Sequence, residues 1–254
     1  MNKQSKKNNR VGNTNITNQG YEIKIIKYRN AKDIDVLFVK DGFIVEHTFY
    51  ESFKNGSIKN PFHKTVYNRG YLGIQSNRKS IETIKNKKSY KVWNGIMTRC
   101  YNDNYKNTRP TYDGCYVCDE WLCYANFEKW FNENYYEIKN EKMCLDKDIL
   151  KKGNKIYSPQ TCVFVPNRIN CLFTKNNKNR SVCIGVTKRY KKYVSTVSIM
   201  GKNRAKFFAT KEEAFFDYKK RKEQEIKRVA EEYKENIPNI LFNAMINYKV
   251  EYTD

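Results

Sequence analysis

The chain has 254 residues, with 49 Lys and Arg against 27 Asp and Glu and a formal net charge of +22 at pH 7. Such an excess surrounds a folded molecule with positive potential, so a polyanion is the expected partner. No run of about 18 or more apolar residues is present, which excludes a transmembrane-helix architecture and predicts a soluble protein.

The start, MNKQSKKNNR, is basic but lacks the apolar stretch of a secretory signal, which predicts a reducing cytosol and eight cysteines that serve as thiols or ligands. Residues 1–18 show no apolar periodicity and read as a disordered basic arm able to track phosphates. At Tyr21 the pattern changes. YEIKIIKY, DIDVLFV and FIVEHTFY, with a tight-turn signal at Asp41-Gly42, predict three short antiparallel strands. A helical turn over YESFK is stopped by Gly56, and Asn60-Pro61 closes a small β-module over 19–62. Residues 63–88 read as a connector. From Ser89, the recurrence of Tyr90, Trp93, Ile96 and Met97 predicts a helix, and a second apolar-faced helix carries Trp121, Leu122, Ala125, Phe127 and Trp130. Residues 144–174 read as strand, turn, strand and short helix. The final part, 181–254, predicts three short strands around VCIGVTKR, KYVSTVSI and AKFFAT, a long helix from 211 past 230, and a shorter helix near 241–248. Within the long helix, DYKKRKEQEIKRVAEEYKEN mixes charge signs at i,i+4 spacing, the pattern of an exposed helix held by weak ion pairs. The fold class is α+β.

Residues 90–173 contain YKVWNGIMTRCYN, YDGCYVCDEWLCYANFEKWF and LDKDILKKGNKIYSPQTCVFVPNRIN. This order resembles the HNH-type, or His-Me finger, nucleases of phages: a helix with Trp93, Met97, Arg99 and Cys100, a V-C-x-x-W element, a Leu-Asp strand, a Y-S-P turn, a cysteine-bearing strand and an Asn-containing helix. In such nucleases a β-hairpin and a helix hold one divalent metal at the scissile phosphate while a histidine on the first strand deprotonates water. The resemblance implies a ββα core over 89–178, with Asp146 and Asp148 as magnesium ligands or their supports and Asn167 and Asn170 on the completing helix. Oxygen donors suit magnesium. Lys147 stands where the family's general base follows the aspartate, and an ammonium cannot take a proton. The core therefore reads as degenerate, and a metal-dependent endonuclease and a catalytically inactive DNA-binding protein are both open. The two histidines, His47 and His63, lie in or beside the N-terminal module. By themselves, Asp146 and Asp148 also fit a solvated strand edge with lysine partners.

Cys115-x2-Cys118, with Cys100 and Cys123 nearby, has the spacing of a thiolate zinc site. Against it, no second C-x2-C follows, Cys123 falls on an apolar helix, and the thiols at 144, 162, 171 and 183 read as small core residues. Zinc ligands and core thiols both fit the pattern.

Residues 181–232 carry Ile184-Gly185-Val186, Tyr193, Gly201-Lys202, Phe207-Phe208-Ala209-Thr210, and Glu212-Glu213-Ala214 with Tyr218. These resemble the APETALA-type, ethylene-response-factor-like DNA-binding domain that also occurs in phage HNH proteins. The resemblance implies a three-stranded sheet with one face in the major groove and a helix on the other. Lys188, Arg189, Lys191 and Lys192 crowd the first turn and Lys202, Arg204 and Lys206 the second, which places phosphate contacts at both ends of one sheet face. In the N-terminal module a DNA role rests only on Lys24, Lys27, Arg29, Lys54 and Lys59; a structural or protein-binding role is as well supported. Double-stranded DNA in a host cytoplasm is the expected partner. An effector that binds a host protein through the aromatic-rich middle is the third class.

Overall fold

The computed structural model describes residues 10–74, 81–174 and 182–252. Residues 1–9 of the expected arm, 75–80 of the expected connector and 175–181, where core and C-terminal domain are expected to meet, lie outside them. Along the chain run β1 (Thr14–Ile16), β2 (Glu22–Asn30), β3 (Asp33–Phe38), β4 (Ile44–Thr48), α1 (Tyr50–Lys54), α2 (Ile81–Asn86), α3 (Lys88–Tyr101), α4 (Asp103–Thr108), β5 (Tyr116–Val117), α5 (Asp119–Leu122), α6 (Tyr124–Asn134), β6 (Met143–Asp146), β7 (Ile156–Tyr157), β8 (Val163–Pro166), α7 (Asn167–Phe173), β9 (Val186–Arg189), β10 (Lys192–Ile199), β11 (Lys202–Phe208), α8 (Lys211–Tyr233) and α9 (Asn239–Ile246). The α+β class is observed. No helix among the described residues is long and apolar enough to cross a membrane.

The chain divides into two compact units, one drawn from 1–102 and 119–128, the other from 103–118 and 129–254. This differs from the expected partition: the helix from Ser89 belongs to the first unit, while the ββα segment and the C-terminal sheet share the second.

In the first unit β1 to β4 form one antiparallel sheet in sequence order. Alternation along β2 and β3 turns Ile23, Ile25, Ile34, Val36 and Phe38 inward onto Phe53 and Ile58. β1 lies inside the stretch expected to be an arm. Thr14 and Ile16 pair with Lys24 and Glu22, and Asn15 Nδ2 donates to the carbonyls of Phe53 and Lys54 at 2.7 and 3.0 Å. The expected single helix around Trp121 to Trp130 is broken into α5 and α6. Tyr71 inserts at the break, its N–H donating to Leu122 O at 3.0 Å and its carbonyl accepting from Tyr124 N at 2.8 Å.

In the second unit β6 and β8 pair antiparallel, Met143 opposite Pro166 and Asp146 opposite Val163, and α7 follows β8 directly. The connection between these strands carries β7, which pairs parallel with β5. β9, β10 and β11 form an antiparallel sheet with β10 in the centre. α8 serves two cores. Its N-terminal half gives Ala214, Phe215 and Tyr218 to a cluster with Val186 and Val197 under the sheet. Its C-terminal half gives Ile226, Val229, Ala230 and Tyr233 to a cluster with Val163, Val165 and Ile169 of the ββα segment and Leu241 of α9. Each such aliphatic side chain contributes about 1.5–3 kcal/mol of transfer free energy, so the exposed-helix expectation is corrected. The mixed charges occupy the rest of its circumference, and one of them, Glu225, is itself buried.

Candidate nucleic-acid interface and ββα cavity

The ββα segment gathers most of the residues named for it. Asp146, Lys147, Asp148 and Asn170 line one cavity of about 460 Å³. Asn167 is not among its walls; the first residue of α7, it accepts a weak bond from the Cys144 thiol at 3.6 Å. Asp146, at the end of β6, folds the chain back on itself, its Oδ1 accepting from the N–H groups of Asp148 and Ile149 at 2.7 and 2.8 Å. Burial raises the Asp146 pKa; the two backbone donors oppose the rise.

Lys147 is 7 % exposed. Its ammonium donates to both oxygens of Asp148 at 2.8 Å and to Asn154 O at 2.6 Å, which uses all three of its protons. Asn154 returns the bond through Nδ2 to Lys147 O at 2.9 Å, closing the loop as a clamp. Two further lysines of the cavity also hold carbonyls: Lys152 that of Lys249 at 3.0 Å and Lys155 that of Asp113 at 2.8 Å.

Magnesium takes near-octahedral oxygens at about 2.0–2.1 Å. The donor set of this cavity does not fit that demand. The lysine nitrogen holds the bidentate position on Asp148, and one oxygen of Asp146 is committed to two backbone donors. A water nucleophile would also find no histidine among the cavity's lining residues; within the first unit His63 meets the Tyr21 hydroxyl at 3.1 Å and His47 meets Asp33.

Cys100 is buried in the first unit, whereas Cys115 and Cys118 belong to the second. Cys115 and Cys118 flank β5, and the N–H groups of Tyr116 and Cys118 both bond toward β7. Extended backbone sends side chains three residues apart to opposite faces, whereas a zinc knuckle turns both thiols one way. No disulfide joins any of the eight cysteines.

Among the described residues, the acids, histidines and cysteines that approach closely enough to share an ion are Asp33, Asp35 and His47. Sequence reading missed them. Arg29 already fills the place of a cation there, forking onto both oxygens of Asp35 at 2.8 and 2.7 Å and reaching Asp33 at 2.8 Å. That guanidinium, with the His47 N–H, holds the Asp35 carboxyl down at about 2.

The C-terminal sheet is set by two tight hairpins, through Tyr190-Lys191 and through Met200-Gly201. Gly185, one of the residues on which the APETALA-type resemblance rests, sits at φ +69 directly under Tyr218, another of them; a Cβ there would lie 2.0 Å from the ring. A capping box between Thr210 and Glu213 starts α8. Asp217 then ties helix to sheet, accepting from Ser195 Oγ at 2.6 Å and from Arg221 Nε at 2.8 Å. Burial opposes ionisation of Asp217, but these donors and Lys206 at 3.4 Å bring its carboxyl below the ordinary value.

All seven basic residues named for this sheet are exposed. They do not share one face. Val186 and Val197 pack on α8, and cross-strand pairing puts Lys188 beside Tyr193, Arg204 beside Val197, Lys206 beside Ser195 and Lys202 beside Ile199, all on that side. Arg189 and Lys192, directly opposite each other, stand on the open face, and Lys191 is in the turn. The period of two imposes this correction.

No family model, curated protein or solved structure matches this chain.

The open face carries more than the two cations. Ser198 and Asn203 pair across it, Thr196 pairs with Ala205, and Phe207, opposite Val194, is 59 % exposed. None of these was named as a contact residue from the sequence, where Phe207 entered only through the family resemblance, although strand alternation alone selects them. Arg189 and Lys192 face each other as like charges, an arrangement that costs free energy unless an anion lies between them.

Proposed function

We propose that this protein binds double-stranded DNA through the open face and hairpin ends of β9–β11, and that its ββα cavity is a structural relic without phosphodiester-cleaving activity. One observation carries the reading. Between Asp148 and Glu212 the chain holds fifteen Lys and Arg and no acidic residue, and its hairpins hold Arg189, Lys191, Lys192, Lys202 and Arg204 exposed and without a carboxylate partner among the described residues. Phosphates are the partners such cations lack, and side chains on the open face, Asn203 and Arg189 above all, are of the types that read base edges. The surrounding acids are used up by the fold: Asp217, Glu223, Glu225 and Glu232 all pair with cations on or against α8.

Fluorescence anisotropy with a labelled duplex across a salt series tests the reading, and a steep fall in affinity with salt is the expected result. A second reading, metal-dependent cleavage, is favoured by the convergence of Asp146, Asp148 and Asn170 on one cavity. Supercoiled plasmid incubated with magnesium, manganese or EDTA separates the two. The relic reading expects the plasmid to stay intact in all three; nicks that depend on the metal would replace it.

A further inference from the structure

We infer that Tyr190 is a stacking wedge that inserts its ring against a base of the bound duplex while its neighbours hold the phosphates on either side. The inference rests on the duplex-binding reading above and adds a contact chemistry to it.

Tyr190 is the most exposed large hydrophobic side chain of the described residues, at 100 %, and it stands at φ 53, in the left-handed region. A bulky L residue at such a φ is strained, and a two-residue hairpin offers the position to glycine, asparagine or aspartate at far less cost. Among the described residues the ring makes no hydrogen bond or aromatic contact. The other hairpin of the sheet is instructive: Met200 also has a positive φ, 50, but there the backbone N–H is held by Glu225 of α8 at 3.1 Å, and Gly201 follows. That turn has an internal anchor, whereas the one at Tyr190 projects an aromatic ring into solvent.

Three cations surround the ring in sequence, Arg189, Lys191 and Lys192, all exposed. Phosphate contacts from this trio would press the tip of the hairpin against the groove, and a planar side chain there meets a base step. Apolar wedges inserted between steps and aromatic platforms under bases are the two ways proteins use such a ring on DNA. Strain kept at an exposed aromatic position is the mark of a contact made with something outside the chain.

The test uses the full chain with Tyr190→Ala, Tyr190→Gly and Tyr190→Phe, titrated against a fluorescein-labelled duplex of mixed sequence and against the same duplex with one internal mismatch, whose base costs less to unstack. Tyr190→Ala and Tyr190→Gly are expected to bind the matched duplex roughly tenfold more weakly, to keep the wild-type salt slope, and to lose the preference for the mismatch. Tyr190→Phe should behave as wild type, because the ring and not the hydroxyl acts. Tyr190→Gly should also raise Tm, since glycine relieves the backbone. Wild-type affinity in the Ala and Gly variants overturns the wedge while leaving duplex binding in place. So does a Phe variant as weak as Ala, or a loss that comes with a shallower salt slope, either of which marks a polar phosphate contact. A wild-type chain with no affinity for either duplex removes both readings together.

Discussion

Replacing Arg189, Lys191 and Lys192 together by alanine probes the end of the sheet where the cations have no carboxylate partner among the described residues. Each phosphate contact contributes about 0.9 to the slope of log K against log salt, so losing three should flatten the slope by about 2.7. If the contacts fade near 1 M salt, the same coefficient makes the variant about 500-fold weaker at 0.1 M, or about 3.7 kcal/mol, with the two titrations converging as salt rises. The fold should hardly respond. Arg189 and Lys192 are opposed like charges, and exposed substitutions away from packing change stability by about 0.5 kcal/mol or less. Lys206→Ala is the internal control: its charge already sits 3.4 Å from Asp217, so its effect on the slope should be smaller than that of any of the three. Anisotropy titrations at four or more salt concentrations, with urea unfolding in parallel, measure all of this. Parallel slopes for the triple variant and the wild type would refute the assignment of this surface.

Asp35→Asn should lower stability at neutral pH and flatten its acid dependence. The folded carboxyl, near 2, lies below its ordinary 3.8, so its contribution is present above about pH 4 and is lost as pH falls through about 2, amounting to about 2 kcal/mol at most. Urea midpoints from neutral pH downward should converge for wild type and variant; curves that stay parallel refute the effect. Gly185→Ala places a Cβ against the Tyr218 ring at a positive φ and should cost at least about 2 kcal/mol, read as a fall in Tm; an unchanged Tm contradicts the packing described. Lys147→Met deprives Asn154 O and Asp148 of their donor and should cost about 2–3 kcal/mol, while plasmid remains uncut in magnesium. Equal stability would show that the clamp does not hold the loop.

Much of this architecture was legible in the sequence because it is local. Alternation gave the strands of the first unit and of the C-terminal sheet, and the tight turn at Asp41-Gly42 appears with Gly42 at φ 72. The order Asp146, Asp148, Asn170 led to one cavity because a hairpin and the helix next to it bring together residues close in sequence. What escaped depends on distant partners. The inner stripe of α8, Ile226, Val229, Ala230 and Tyr233, has helical spacing, but the charges around it masked a face whose partners, Val163, Val165 and Ile169, lie over fifty residues away. β1 is three residues long and exists only through β2 and the carbonyls of α1. Lys147 becomes a buried clamp only when Asn154 closes the loop. The Arg29, Asp33, Asp35 and His47 cluster needs the β3–β4 pairing to form. The basic residues of the C-terminal sheet were found, but counting them by turn and not by alternation assigned them to a single face.

α8 has a further consequence through its length. Its 23 residues make a rod of about 34 Å, with the ββα segment seated on one end and the sheet on the other. Because both seats are cut into the same rod, their spacing and their rotation about its axis are locked together. Adding one residue at its middle would lengthen it by about 1.5 Å and swing one seat about 100° around the other. The rod's length is close to the repeat of a duplex, about 34–36 Å, the ligand proposed above.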